Sequence, residues 1–518
     1  MATVSTLRRN LQRALSSLLA DPALAWITIL TTRFPKSEIY LVGGAVRDAA
    51  IGRKDKKDYD FVVRKVPPAE LEAFLAEHGS VDFVGRTFGV FKFYPKDSPS
   101  SEALDIALPR TDHAFGTGGY KAVAVDARAT LAMKTDLARR DFTVNAMAVN
   151  LRTGALEDPF DGLQDLASKT LRGVGLPRRR FAEDYSRMLR AIRFACQLGL
   201  RIERGTWKAL AECMPHINDT LENQRIVPHE VIAKEMVRSF VANPVAALDL
   251  YNDSGALAAL LPEALKMKTC PHPAEYHSEG DVFAHTRLAL QQLDNPRLKR
   301  LFPEARQSAL VVFGTLLHDI GKPVTVRPTN EPGGKSLLYY GHDKVGGEMA
   351  AAICQRLRLS TLPKESVLHI DADALQWIIA KHLLVLNARV EELRASTIER
   401  YFFNDHVPGR ALLAVILADS LATVPLTGAS DLTHFRALLR RMKHIEKTAG
   451  PRHGRYRQLP APLLRGTDVM TTFGLEPGQK IGKLLRQARE QQLQRKLTTK
   501  EEALAYLKKR LARKKTWI

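Results

Sequence analysis

The spacing of apolar positions changes along the chain, and each change marks a part of it. Residues 1 to about 35 carry leucines three and four apart, the stripe of an amphipathic helix. From about 38 to 150 short β-rich runs take over: EIYLVGG, DYDFVV, FGVFKFYP, ALDIALPR and VNAMAVNL. These runs alternate with helical stretches and predict an α/β block on a mixed sheet. Between Asp82 and Arg110 two of them flank a polar loop, KDSPSSE. From about 160 to 265 Leu, Ala and Arg return to helical spacing. Pro271 and Pro273 punctuate the chain beside Cys270, and a second helical block runs from about 280 to 450. Its internal turn, RPTNEPGGKS, is rich in Pro and Gly and is expected to be exposed. The stretch AGPRHGRYRQLPAP (449–462) reads as a linker before a short helical tail rich in Lys and Arg. The pattern predicts a head over 1–150, a helical neck over 151–270, a helical domain over 275–450 and a basic tail segment over 455–518.

Charge narrows the choice of partner. Lys and Arg number 77 against 56 acids, giving a formal charge of +21 and a pI near 9.8. A basic balance spread over 518 residues suits nucleic acid better than a small acidic substrate. The hydrophobic fraction of 45% is that of a globular protein. The four cysteines, Cys196, Cys213, Cys270 and Cys354, lie far apart and form no CxxC. That spacing argues against a zinc ribbon and for a reducing compartment, the cytoplasm. No apolar run reaches transmembrane length, so no membrane partner is expected. The N-terminal MATVSTLRRNLQRALSSLLA is basic and amphipathic and lacks a secretory h-region or a clear cleavage site; transit peptides share this pattern, and the reading preferred is an ordinary first helix.

The densest chemistry lies in LVGGAVRDAAIGRKDKKDYD, Leu41 to Asp60. An apolar strand-like run leads into a Gly43-Gly44 turn, then a helical stretch, then Asp58 and Asp60 one residue apart. On a strand, residues i and i+2 share a face. Both carboxylates can then reach one spot beside a turn whose backbone amides a phosphate can approach, because no side chain blocks them. Arg47 can meet a phosphate with a bidentate fork. Asp105, an acid inside the apolar strand of ALDIALPR, needs a partner or a metal. Nucleotidyl transfer calls for such a set: carboxylate-held cations that align a 3′-hydroxyl with an α-phosphate and neutralise the leaving pyrophosphate.

Five segments in order, LVGGAVRD, KDYDFVV, LDIALPR, RRDFTVNAMA and EDYSRMLRAIRFA, resemble the motifs of class II tRNA nucleotidyltransferases. These are the CCA-adding enzymes, which share a superfamily with bacterial poly(A) polymerases. The likeness covers about residues 38 to 240, and LLRGTDVMTTFGLEPGQKIGKLL near the C-terminus resembles a tail segment of the same family. The resemblance implies a polymerase-β-like head followed by mainly α-helical RNA-binding regions. It implies that Gly43, Gly44 and Arg47 hold the triphosphate, that Asp58 and Asp60 bind Mg²⁺, and that Asp105 activates the primer hydroxyl. Arg139, Arg140, Asp141 and Asn145 would lie by the sugar and phosphates, with Asp141 and Asn145 four apart on one helical face. In EDYSRMLRAIRF, Asp184 and Arg187 stand three apart on a predicted helix. An arginine donating to ring acceptors and a carboxylate accepting from an exocyclic amine suit cytosine and adenine, and reject uracil and guanine. Arg190 and Arg193 follow on nearby faces within reach of phosphate or RNA.

A separate set lies downstream: His285 in DVFAHTRL, His318 and Asp319 in LLHDIGKP, His342 in YGHDKVGGEMA, His382 in AKHLL and Asp419 in ILADSLA. Neutral imidazoles and carboxylates spread over several helices suit a metal site. The order, with HDIGKP intact, resembles the HD phosphohydrolase superfamily. That resemblance implies one divalent metal on His285, His318, Asp319 and Asp419, with His342 and His382 serving a second ion or a substrate phosphate. The implied activities are CCA addition to tRNA from CTP and ATP, and hydrolysis of 2′,3′-cyclic phosphates or phosphomonoesters in RNA repair. Three alternatives stay open: a poly(A) polymerase, a partial enzyme adding only CC or only A, and an HD phosphohydrolase whose head merely binds RNA.

Overall fold

The computed structural model describes residues 3–53, 59–84, 89–96, 103–114, 117–119, 123–273, 277–328, 337–387, 390–447, 452–453, 456–457 and 460–515. The chain forms two compact units, residues 1–261 and 262–518. Asp58, most of the KDSPSSE loop, most of RPTNEPGGKS and much of the 449–462 stretch lie outside the described residues.

The first unit opens with α1 (Val4–Leu19) and α2 (Trp26–Arg33). Leu7, Leu11, Leu15 and Leu18 form the buried stripe of α1, and the Thr3 hydroxyl accepts the Thr6 N–H at 3.2 Å as its cap. Strands β1 (Glu38–Val42), β2 (Asp60–Arg64), β3 (Gly79–Val84), β4 (Val90–Pro95), β5 (Leu104–Ala107), β6 (Ala148–Asn150) and β7 (Leu156–Glu157) form one sheet. Their order is β3-β4-β5-β2-β1-β6-β7. The β2–β5 pair is parallel and every other pair antiparallel, so the sheet is mixed as expected. Alternation sorts the side chains. Phe61 and Phe93 meet Trp26 edge-on on one face, at 5.5 and 5.8 Å between ring centroids. On the other face Tyr40, Val42, Val62, Ala146 and Ala148 pack with Met133 and Leu137 of α4 (Met133–Ala138). Three further helices matter for the site: α5 (Pro177–Glu183), α6 (Ser186–Leu198) and α7 (His229–Ala242), with α6 packed on α7.

The second unit is helical. Its centre is α9 (Ala309–Leu317), whose sequence ALVVFGTLL has no polar face. A helix apolar all round must be surrounded, and α9 packs on α8 (Val282–Gln292), α11 (Ala372–Ile379) and α12 (Gly409–Ala422). Gly314 permits this approach: a Cβ there would stand 3.1 Å from Val415 and 3.3 Å from Ile378. Helix α10 (His342–Arg356) packs along α11. Towards the C-terminus α13 (Gly466–Phe473), α14 (Gln479–Leu493) and α15 (Lys500–Lys515) share a small core of Val469, Ile481, Leu484, Ala503 and Leu507. All four cysteines are free and buried. Among the described residues no single helix is long and apolar enough to cross a membrane.

Candidate active site and candidate metal centre

In the head, β1 ends at Val42 beside the first residue of β2, Asp60. Asp60 is the in-register partner of Asp105 across the parallel β2–β5 pair. Neighbouring strands lie about 4.8 Å apart and in-register residues project to one face. The two carboxylates therefore stand side by side at the end of the sheet. Asp60 is exposed, and the Asp105 side chain is 43% exposed with Lys92 Nζ at 3.2 Å from Oδ1. Hard oxygen donors paired in this way suit a divalent cation. Gly43 turns the chain next to them at φ +71°, a conformation open to glycine. A Cβ at Gly43 would also lie 2.5 Å from Arg140 Nη1.

Behind the turn a chain of buried polar groups runs back to the helices. Arg47 grips Asp48 through Nε and Nη2, both at 2.9 Å, and donates from Nη1 to Asn145 Oδ1. Asn145 Nδ2 donates to Asp141 Oδ1 at 3.0 Å, and Arg190 of α6 places Nε and Nη2 2.9 and 2.6 Å from Asp141 Oδ2. Burial pushes the Asp141 carboxyl up, but the Arg190 charge and the bonds from Asn145 and Arg190 outweigh it and hold it down to about 2. Arg139 and Arg140 both pair with Asp136, which is wholly buried on α4.

Three expectations change here. Asp141 and Asn145 do bond, but across a 3₁₀ turn, Thr143–Asn145, not along an α-helix. Thr143 Oγ1 donates to Asp165 and Phe142 bridges Gly173, so the backbone is held by neighbours and not by its own helix. Asp184 is not on a helix with Arg187. It is extended between α5 and α6, and its Oδ1 accepts the Ser186 N–H at 2.9 Å and the Ser186 hydroxyl at 2.6 Å. Arg187 lies in the first turn of α6 with Nε 3.9 Å from Asp184 Oδ2, and donates to Glu183 at 3.1 Å and to the Arg139 carbonyl at 3.3 Å. The two side chains still approach each other at the mouth of the neck. Arg193 does not face outward for phosphate. It is buried between α6 and α7, where it pairs with Glu235 and donates to Gln197 at 2.9 Å.

In the helical bundle the downstream set converges. His285 Nε2 is 3.0 Å from Asp419 Oδ1 and 3.3 Å from His318 Nε2. His318 Nε2 is 3.3 Å from Asp319 Oδ2 and 3.6 Å from Asp419 Oδ1. On the other side of the same carboxylate, His342 Nε2 and His382 Nε2 lie 3.4 and 3.7 Å from Asp319 Oδ1. Asp319 thus stands between two ligand sets, one on each oxygen. Each ring is oriented from behind: Nδ1 of His318, His342 and His382 meets the carbonyl of Thr315, Tyr339 and Ile379 at 2.8, 2.7 and 2.6 Å. Donation from Nδ1 leaves the Nε2 lone pair for a metal. The buried Nε2 atoms of His342 and His382 make no hydrogen bond. Orphaned, inward-facing imidazole nitrogens around a carboxylate are a donor set that a divalent metal fits. Burial pushes the Asp319 carboxyl up, yet Lys322 and His318 hold it well below the usual range.

The comparisons with known proteins bear on both centres. A family model described as the Poly A polymerase head domain matches residues 39–172, and an HD domain model matches 284–423. The Multifunctional CCA protein of Xanthomonas campestris pv. campestris is 36% identical over 323 residues, 62% of this chain and 71% of that protein. That of Stenotrophomonas maltophilia is 34% identical over 365 residues, 70% and 79%. The chain belongs to the multifunctional CCA protein family.

Solved structures agree on the fold. The Bacillus stearothermophilus CCA-adding enzyme in complex with CTP aligns with a TM-score of 0.58 at 21% identity, covering 96% of this chain and 99% of that one. The Thermotoga maritima CCA-adding enzyme complexed with tRNA gives 0.58 at 18%, covering 96% and 98%. The bundle centre also holds residues beyond those singled out in the sequence. Lys322 Nζ is 2.7 Å from Asp319 Oδ2 and 2.9 Å from His272 Nε2. His277 and Glu279 sit behind His285. Lys322 was within reach of sequence reasoning, one helical turn after Asp319. His272, His277 and Glu279 come from an irregular stretch where no periodicity points anywhere.

Proposed function

We propose that the protein adds CMP and AMP, from CTP and ATP, to the 3′ end of tRNA and releases pyrophosphate. The observation that carries this reading is the in-register pairing of Asp60 with Asp105 beside the Gly43 turn. Mg²⁺ held by Asp58 and Asp60 would stabilise the charge that develops on the triphosphate. Asp105 takes the proton of the primer 3′-hydroxyl as that oxygen attacks the α-phosphorus. Gly43, Gly44, Arg139 and Arg140 border the triphosphate. Arg47, Asp141 and Asn145, engaged with one another, brace that border from behind. Asp184 and Arg187 read the base edge at the head–neck junction. The excess of basic residues over the chain supplies phosphate contacts to the tRNA. The buried free thiols suit a protein of the reducing cytoplasm.

The bundle supports a second activity, metal-dependent hydrolysis of phosphate esters such as 2′,3′-cyclic phosphates at RNA ends. The two ligand sets on Asp319 favour it. A bound divalent ion would lower the pKa of water for attack on phosphorus. His285, His318, Asp319 and Asp419 would hold it, with His342 and His382 beside a second ion or the phosphate.

One assay tests the first reading. A tRNA lacking its terminal CCA is offered labelled CTP, labelled ATP, or both, and products are sized. CTP alone should extend the primer by two residues, both together by three, and UTP by none. Long A tracts from ATP alone would make it a poly(A) polymerase; arrest after CC with both triphosphates present, or addition of A alone, would make it a partial enzyme.

A further inference from the structure

Of the imidazoles at the bundle centre, those of His285, His318, His342 and His382 present Nε2 to Asp319 or Asp419, and three of these four are steered by backbone carbonyls. His285 differs: its Nδ1 lies 2.7 Å from Glu279 Oε1, a side chain itself only 7% exposed. The same oxygen takes His277 Nδ1 at 2.7 Å, and Glu279 Oε2 accepts the Val424 N–H at 3.2 Å. Val424 lies two residues beyond the end of α12, the helix that carries Asp419. Glu279 therefore links the ring of one candidate ligand to the end of the helix bearing another. Both of its oxygens are occupied by N–H donors, and it sits on the Nδ1 side of His285, while Asp319 and Asp419 sit on the Nε2 side. That is the place of a group that orients a ligand, not of a ligand.

We propose that Glu279 is a positioning residue of the bundle's metal centre, fixing the tautomer and direction of His285 and strengthening it as a donor, with His277 as its outer partner. The proposal rests on reading the bundle as a divalent-metal site. A carboxylate behind an imidazole raises the basicity of the coordinating nitrogen, and losing such a partner weakens metal binding about 10- to 100-fold. A carbonyl would fix the tautomer equally well, so the gain specific to Glu279 is its charge. Through its second oxygen it also ties His285 to the Val424 backbone, beyond the end of the helix that carries Asp419.

The test uses Co²⁺ as the probe and the full-length chain. Affinity is read by competition with a chromophoric chelator and ligand geometry by the visible bands of the bound ion. Glu279→Ala should weaken Co²⁺ binding about 10- to 100-fold. Glu279→Gln, whose carbonyl oxygen still accepts one Nδ1–H, should lose less and keep the wild-type band shape. His277→Ala should change affinity least, because His285 keeps its carboxylate. Wild-type affinity in Glu279→Ala overturns the proposal. So do altered bands in Glu279→Gln, since they would make Glu279 a ligand. Should Glu279→Ala fail to fold by circular dichroism, Glu279→Gln decides: weaker binding with unchanged bands supports the proposal and unchanged affinity overturns it. Wild-type protein that takes up no Co²⁺ would remove the underlying metal-site reading instead.

Discussion

The bond between Arg190 and Asp141 ties helix α6 to the polar chain behind the Gly43 turn. Its strength follows from the protonation equilibrium. The Asp141 carboxyl is held at about 2 in place of its ordinary 3.8. At about 1.4 kcal/mol for each tenfold change, that gap is worth about 2 kcal/mol of folded-state stability. A carboxyl whose folded value is depressed gives its full contribution above the ordinary value and loses it as pH falls through the folded one. The contribution should therefore be complete above pH 4 or so and fade towards about pH 2. Asp141→Asn removes the charge and leaves Arg190 facing a neutral amide. Hydrogen exchange of peptides from 186–198, read by mass spectrometry at neutral pH, should quicken by roughly thirtyfold, the equivalent of about 2 kcal/mol. Arg190→Gln should do much the same, and the double variant little more, giving a coupling energy near 2 kcal/mol. A coupling below about 0.5 kcal/mol, or losses that simply add, would refute the argument that this pair is held by charge in a buried setting.

Other outcomes follow from the same geometry. Asp60→Ala should abolish nucleotide incorporation while circular dichroism stays native; normal incorporation would remove Asp60 from the metal site. Gly43→Ala should cost about 1–3 kcal/mol from the positive φ alone, and should cut incorporation more than tenfold by displacing Arg140; measured wild-type rates would show the turn tolerates a side chain. Arg187→Ala should weaken the preference for CTP and ATP over UTP, and unchanged nucleotide choice would leave it a structural arginine of the α5–α6 junction. Binding of tRNA, followed by filter retention, should weaken steeply as salt rises; a flat response would argue against broad phosphate contact.

Much of the head was legible because its information is local. Alternation named the strands, and the separation of Asp105 from Asp60 by a β-rich stretch left them free to meet on adjacent strands. What alternation could not give was their register, which the turns and the intervening β3–β4 hairpin fix. Asp184 was misplaced because helical periodicity runs on both sides of it. The competing signal is also local: an Asp whose side chain accepts the N–H two residues on favours extended backbone ahead of a helix. Arg193 carries the same side chain as Arg190 one turn earlier, and only packing against α7 separates a buried ion pair from a group near the site. In the bundle the convergence of His285, His318, Asp319 and Asp419 was legible from HDIGKP and its order, but the groups behind them were not. Glu279 and His277 act through contacts with His285 and Val424 that no spacing rule encodes.

The two centres keep their negative charge in different ways, and that difference bears on how each would take up an ion. In the head, Asp60 is exposed and Asp105 half so, with a lysine alongside. Water screens the two charges, so the carboxylates can stand together with little cost before a cation arrives. In the bundle, Asp319 is only 1% exposed. A buried carboxylate left unpaired costs several kcal/mol. Lys322 prevents that, with Nζ 2.7 Å from Asp319 Oδ2, the oxygen that the His285–His318–Asp419 set surrounds. Its ammonium therefore occupies part of the space a divalent ion would claim. A divalent ion held by that oxygen would compete with the lysine for it, so its affinity would be the difference between two cations on one carboxylate. In the head the lysine beside Asp105, Lys92, lies at a half-exposed surface where water screens the pair. Lys322 thus offsets the buried charge of Asp319, while the Nε2 atoms of His342 and His382, which make no hydrogen bond, are the donors a divalent ion would gain beyond it.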